Sequence, residues 1–138
     1  MSLFKVFDIS GSALSAQTVR LNTTASNLAN ADTVSGDARS AYRARHPVFA
    51  TVLEQAGGEG DAVAGVRVAG IVEDAAPVQK RYDPGNPLAG ADGYVYTSNV
   101  NVVEEMVDMI AASRNYQSNV EVMNTAKQLL LATLRLGR

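Results

Sequence analysis

Residues 99–136 read NVNVVEEMVDMIAASRNYQSNVEVMNTAKQLLLATLRL, and this stretch decides the architecture. Steps of four and three from Val102 pass through Met106, Met109, Ser113, Tyr116, Val120, Met123, Lys127, Leu130 and Leu134. Eight of these ten positions are apolar, so the spacing predicts one long helix that buries a narrow seam against another helix. Asn101 followed by Glu104 has the form of a capping box. Glu104, Glu105 and Asp108 come early while Lys127, Arg135 and Arg138 come late, which complements the helix dipole, and Gly137 is a natural stop. A second stripe lies beside the first: Val103, Val107 and Ile110, and later Ala126, Leu129 and Thr133. One partner helix covers one seam, so this extra apolar surface calls for further neighbours.

A counterpart lies at the other terminus. Phe7, Leu14, Leu21 and Leu28 recur every seven residues, with Phe4, Gly11, Thr18 and Ala25 on the same side. They predict a first helix from Ser2 or Leu3 to Ala29. Its polar face is rich in Ser, Thr, Gln and Asn, which compete for backbone hydrogen bonds. Gly11 costs up to about 1 kcal/mol more in a helix interior. Such a segment is marginal alone and must be held by packing. Residues 30–33 form the exit, with Asn30 suited to a left-handed terminus.

Between the helices the period changes. Residues 47–53 are β-branched and apolar, a strand. A turn cluster at 57–61 follows, and Val66 and Val68 alternating with Arg67 and Ala69 then predict a hairpin partner running on to Ile71 and Val72. Residues 78–82 form a third short strand. Asp83, Pro84, Gly85, Asn86 and Pro87 break regular structure, and residues 94–96 make a last brief strand. The expected fold is α+β: long terminal helices pairing as a coiled-coil-like tube domain (1–31 and 99–138), with a small β-rich middle segment (32–98).

At 138 residues the chain has about one domain's length. Net charge is −2, spread as +1 over residues 1–30, −3 over 31–98 and 0 over 99–138. No segment has the basic footprint of a nucleic-acid or membrane-surface binder. There is no cysteine, which removes disulfides and thiolate metal sites. Lys5 and Asp8 interrupt any secretory apolar core, and the run 129–132, which no other apolar run exceeds in length, is far too short to span a bilayer.

Catalytic and metal readings fare poorly. His46 is the single histidine and has no His or Cys to share a metal with. Glu104 and Glu105 are adjacent on a helix and point about 100° apart, unlike a glycosidase pair. Glu54, Glu59 and Asp61 flank a solvated turn. The glycines at 57–60 lack the Lys-Ser/Thr ending of a phosphate loop, and residues 83–92 have the wrong spacing for a calcium loop. Met106, Met109 and Met123 fit seam packing better than a metal track. Asn27 and Asn30 fit either a helix terminus or a subunit contact. No cofactor is expected.

Residues 26–33, SNLANADT, with Asn27, Ala29 and Asn30 spaced Asn-x-Ala-Asn, resemble the Asn-x-x-Ala-Asn signature that marks the rod and hook proteins of the bacterial flagellar axis. Residues 82–88 (YDPGNPL), 93–95 (GYV), the helix text 99–117 and the tail 119–127 resemble the proximal-rod branch of that family. Ser98 stands where the family pattern has proline at the start of the helix; serine caps well, so the fold is unaffected. The resemblance covers nearly the whole chain and is loosest between residues 37 and 76.

The resemblance implies a structural subunit of the periplasm-spanning rod. Such a subunit is exported through the flagellar type III apparatus without cleavage. It polymerises with itself and other rod proteins above the membrane ring and export-gate base, as drive shaft and export channel. The alternatives are a non-polymerising adaptor of the export apparatus and a small wall-degrading hydrolase; the latter lacks a convincing carboxylate pair.

Overall fold

A computed structural model of the chain describes residues 3–55 and 62–136. The turn cluster at 57–61, Ser2, Gly137 and Arg138 lie outside the described residues. The order is α1 (Leu3–Ala29), β1 (Val34–Ser35), β2 (Arg45–Gln55), β3 (Ala62–Glu73), β4 (Gln79–Tyr82), β5 (Tyr94–Thr97) and α2 (Val102–Leu136). The fold is α+β. β2 and β3 form an antiparallel two-stranded ribbon whose register shifts between Val48 and Phe49. β1, β5 and β4 form a separate antiparallel sheet in that order. The two-residue β1 is absent from the sequence reading, since Val34 and Ser35 carry no periodic signal; they are ordered by pairing with Thr97 and Tyr96.

The helix ends follow from local chemistry. Asn101 Oδ1 accepts from the backbone N–H groups of Val103 (3.2 Å) and Glu104 (3.4 Å), satisfying two of the free donors that open α2. The end of α1 differs from expectation. No described non-glycine residue has positive φ, so Asn30 does not turn left-handed. Instead Ala31 N donates to Leu28 O (3.3 Å) and Thr33 N to Asn30 O (3.2 Å), while the Asn30 amide donates back to Ser26 O (2.8 Å). Tight turns use up the terminal carbonyls that a left-handed residue would otherwise satisfy.

α1 is the middle layer. On one side it meets the β2–β3 ribbon, where Ser12 Oγ accepts from Val66 N (3.2 Å) and donates to Ile9 O (2.8 Å). Its other side meets α2, which touches no other helix or strand among the described residues. Arg20 Nη2 lies 2.7 Å from Asp108 Oδ1, Asn27 Nδ2 donates to Glu105 Oε1 (2.8 Å), and Val6 shares a groove with Ser118 and Leu129. Contacts that run backward in one helix as they run forward in the other make the pair antiparallel.

The two largest fully buried side chains are Val95 and Asn27, so half of that innermost core is an amide. Asn27 Oδ1 accepts from Arg45 N (2.9 Å) and the Tyr42 hydroxyl (3.0 Å), and Nδ2 donates to Arg45 O and Glu105 Oε1 (both 2.8 Å). The two Arg45 backbone bonds fix which amide atom is oxygen, because N–H only donates and C=O only accepts. One side chain thus joins α1, the start of β2 and the first turn of α2. Asn27→Ala strands the part-buried Arg45 backbone groups and the buried Glu105 carboxyl at once and should cost about 3 kcal/mol. The expected readout is a matching fall in the urea or thermal unfolding midpoint.

Candidate assembly surface

The chain exposes 9291 Å², against about 6,900 Å² for a compact monomer of 14.5 kDa. The excess includes large apolar side chains: Val103, Val107, Ile110 and Leu129 are each 56–70% exposed, and Leu134 is 63%. Single exposed apolar residues are ordinary, but a stripe repeated along one helix is not.

The sequence-read seam residues divide between inside and outside. On α1, Phe7, Leu14, Leu21 and Leu28 are all half-buried. On α2, Met109, Val120, Met123 and Leu130 are half-buried, while Val102, Met106, Tyr116 and Leu134 are exposed. The buried Glu105, Ala112 and Ala126, with the half-buried Met109, Asn119, Met123 and Leu130 between them, mark the face of α2 turned to α1. It shares Met109, Met123 and Leu130 with the line read from sequence. The intervening positions lie one residue earlier: Glu105 rather than Met106, Ala112 rather than Ser113, Ala126 rather than Lys127. Glu105, Ala112 and Ala126 are the buried residues of this helix. Small side chains let α1 approach closely, and Asn27 needs the Glu105 carboxylate turned inward. Both demands rotate the larger Val and Met side chains outward. Between the start of α1 and the later half of α2 an apolar groove of about 450 Å³ remains, lined by Val6, Val122, Thr125, Ala126 and Leu129.

The polar residues around the pair hold it in place. Glu105 is buried, with Oε1 held by the Asn27 amide. Burial raises the pKa of its carboxyl, opposed by the Asn27 hydrogen bond, the nearby His46 and the Thr24 hydroxyl, and reinforced by Asp108. Asn99 Oδ1 accepts from Ala44 N (2.7 Å) and its amide donates to Ala76 O (3.0 Å). The buried Ser98 hydroxyl donates to Ala31 O, tying the end of α1 to the approach of α2. Proline at position 98 has no hydroxyl to make that bond.

The motif at 83–87 builds a folded loop between β4 and β5. Asn86 Nδ2 reaches Asp83 Oδ2 (3.4 Å), Asn86 Oδ1 accepts from Leu88 N (3.0 Å), and Asp83 N donates to Gly93 O (2.9 Å). Pro84, Gly85 and Pro87 sit exposed along it. Gly93 has φ +75°, and a Cβ there would lie 2.8 Å from Tyr82 Cε2, so glycine is required. The Tyr82 and Tyr94 rings meet edge to face at 5.1 Å. Lys80 Nζ lies 4.2 Å from the Tyr94 centroid and donates to Asp92 Oδ2 (3.0 Å). That bond raises the Lys80 pKa and lowers that of Asp92. These residues shape the loop, and Tyr82 and Leu88 stand out from it. Among the described residues no three His, Cys, Asp or Glu side chains gather as a metal site, and no helix is long and apolar enough to cross a membrane.

Sequence reasoning missed Glu105, Tyr42, Ser98 and Asn99 as organising residues. Of these, only Ser98 carried a signal, as a helix-capping serine. Two results are expected. Gly93→Ala should lower stability by roughly 1–3 kcal/mol through φ strain and the Tyr82 clash, seen as a lower unfolding midpoint. Glu105 binds its proton more tightly folded than unfolded, so stability falls as pH rises from the ordinary carboxyl range through the raised pKa. The difference in unfolding free energy between wild type and Glu105→Gln should therefore shift against the wild type over that window. A difference flat in pH contradicts the buried carboxylate.

The model of the family described as flagella basal body rod protein matches residues 7–36. The model described as flagellar basal body rod FlgEFG protein C-terminal matches residues 91–136. The two matches cover α2, all but the first four residues of α1, β1, β5 and Asn27. The flagellar basal-body rod protein FlgC of Yersinia enterocolitica is 55% identical over 138 residues, spanning 100% of each chain. That of Salmonella typhimurium is 52% identical over the same span. That of Buchnera aphidicola from Acyrthosiphon pisum is 44% identical over 139 residues and 99% of each chain. With both terminal segments and the entire length matched, the chain belongs to the flagellar basal-body rod protein FlgC family.

Proposed function

We infer that this protein is a structural subunit of the flagellar rod that polymerises with other rod proteins, and with itself, into a helical tube serving as drive shaft and export channel. The observation that carries the reading is the exposed stripe Val103, Val107 and Ile110 on a helix covered along one face only. Burying apolar area yields about 25 cal/mol per Å², and the excess surface is of the order of 2,400 Å², more than a standard protein–protein interface buries.

In this reading residues 1–31 and 99–138 form the inner tube domain, with α1 and α2 paired in coiled-coil-like fashion, and 32–98 form an outer piece. Neighbours come through heterologous contacts that do not close, as a helical assembly requires. Low intrinsic helicity of the N-terminal segment, few aromatics and absent cysteines suit passage unfolded through the flagellar type III apparatus without cleavage. The subunit then joins the periplasm-spanning rod above the membrane ring and export-gate base. The role is mechanical and not catalytic.

Val107→Asp and Ile110→Asp place a charge where a neighbour must cover it. Each should leave the purified monomer's unfolding midpoint nearly unchanged yet abolish swimming. Equivalent changes at the half-buried Val120 or Leu130 should also destabilise the monomer. Normal motility with Val107→Asp, or a protein found in the cytosol and absent from isolated basal bodies, contradicts the reading; the second result is that of an export adaptor.

A further inference from the structure

Asp92–Gly93 is the only place in the chain where an aspartate or asparagine precedes glycine. That pairing carries a specific backbone chemistry. The glycine nitrogen attacks the aspartate Cγ and closes a five-membered succinimide, while one carboxyl oxygen leaves as water. Water then opens either carbonyl of the ring. One opening returns aspartate; the other gives isoaspartate, in which the backbone runs through the side chain. Glycine favours the attack because no Cβ shields its nitrogen. The carboxyl must be protonated, since an ionised one holds no oxygen that can leave as water.

The folded loop engages both reactants. Gly93 N, the nucleophile, donates to Gly90 O (2.9 Å). Both oxygens of the electrophile are taken: Asp92 Oδ2 by Lys80 Nζ (3.0 Å), and Oδ1 by the N–H of Tyr94 (3.3 Å), one residue beyond the nucleophile. A Cβ at residue 90 would lie 2.8 Å from Asp92 Oδ1, so the carboxylate fits tight against the loop. The Lys80 hydrogen bond lowers the Asp92 pKa, which favours the unreactive ionised form. Gly93 is fixed in turn at φ +75°, with its carbonyl accepting from Asp83 N (2.9 Å). Water reaches the site freely, because the Asp92 side chain is 57% exposed. Lys80 belongs to β4 and Tyr94 to β5, so these restraints meet only while the two strands pair.

We propose that Asp92–Gly93 is a self-modification site, whose backbone isomerises to isoaspartate when β4 and β5 part, and that Lys80 is a positioning residue slowing this in the folded chain. The two forms of protection differ in size. An exposed ion pair is weak, so Lys80 accounts for about threefold. The hydrogen-bonded turn supplies the larger share, so that folding as a whole slows the reaction about tenfold. Isoaspartate adds a methylene to the backbone before Gly93 and leaves the free carboxylate directly on Cα. The Tyr82 and Tyr94 rings, which meet at 5.1 Å, then lose their register. A chain modified while unfolded would not rebuild the loop that presents Tyr82 and Leu88.

The test incubates the purified full-length chain near neutral pH, folded in buffer or unfolded in guanidinium chloride. Isoaspartate is followed by isoaspartyl methyltransferase labelling of a digest and placed by fragmentation mass spectrometry. In the unfolded wild type it should accumulate at residue 92 faster than at any other aspartate or asparagine. Folding should slow residue 92 about tenfold. Lys80→Met should raise the folded rate about threefold and leave the unfolded rate unchanged, while Lys80→Arg keeps the wild-type rate. If Lys80→Met does not fold, sodium chloride makes the same comparison in the wild type, because screening weakens the pair; the folded rate should rise about twofold. Isoaspartate that forms elsewhere and not at residue 92 overturns the site. Equal rates in the folded and unfolded wild type overturn the protection. A folded Lys80→Met as slow as the wild type, or a folded wild-type rate that salt does not move, overturns the part given to Lys80.

Discussion

A 35-residue helix with a single neighbour is the constraint on which the rest of this molecule depends. α2 is about 52 Å long at 1.5 Å per residue, and α1 covers one face of it. Among the described residues no strand covers the remaining circumference, because the ribbon touches α1 but not α2 and the strands of the small sheet touch only one another. The core is correspondingly thin: besides Val95, its buried apolar members are alanines. Larger side chains would have supplied more hydrophobic stabilisation per position. Alanines instead bring the backbones close and leave Val, Met and Leu for other contacts.

With so little apolar core, position is specified by polar groups. Asn27 uses both amide donors and accepts twice at its oxygen, with partners in two separate segments, residues 42–45 and the first turn of α2. Shifting α2 along α1 by a residue would move Glu105 away and leave a buried N–H unpaired. Buried polar networks contribute more to uniqueness of arrangement than to net stability. Here the arrangement matters because the register of α2 on α1 decides which residues face outward. Asn27 and Asn30, read along the sequence as a helix ending or a subunit contact, therefore act within the chain. Asn27 is 0% exposed, and Asn30 closes the last turn of its own helix.

The sequence made most elements legible because its period changes where the structure does. Sevenfold repeats at 7–28 gave α1, the β-branched run at 47–53 gave β2, and the prolines at 84 and 87 gave the loop before β5. Two things were not legible. The two-residue β1 exists only through pairing with Thr97 and Tyr96, and nothing local announces it. The orientation of α2 was also hidden, for a more general reason. Apolar periodicity reports every contact a helix makes, internal and external together, so Met106 and Val103 weigh the same in the pattern as Met109. Glu105 reads as a dipole-matching acid because its partner lies 78 residues away, and no window along the chain brings the two together.

The most direct measurement is an electron cryomicroscopic map of the isolated basal body in which this chain is traced. Val103, Val107, Ile110 and Leu134, more than half exposed in the single chain, should each lie against a side chain of a neighbouring subunit, with α2 holding its register on α1 through Asn27 and Glu105. A map that leaves these four side chains facing open solvent contradicts the account, however well the rest of the chain fits.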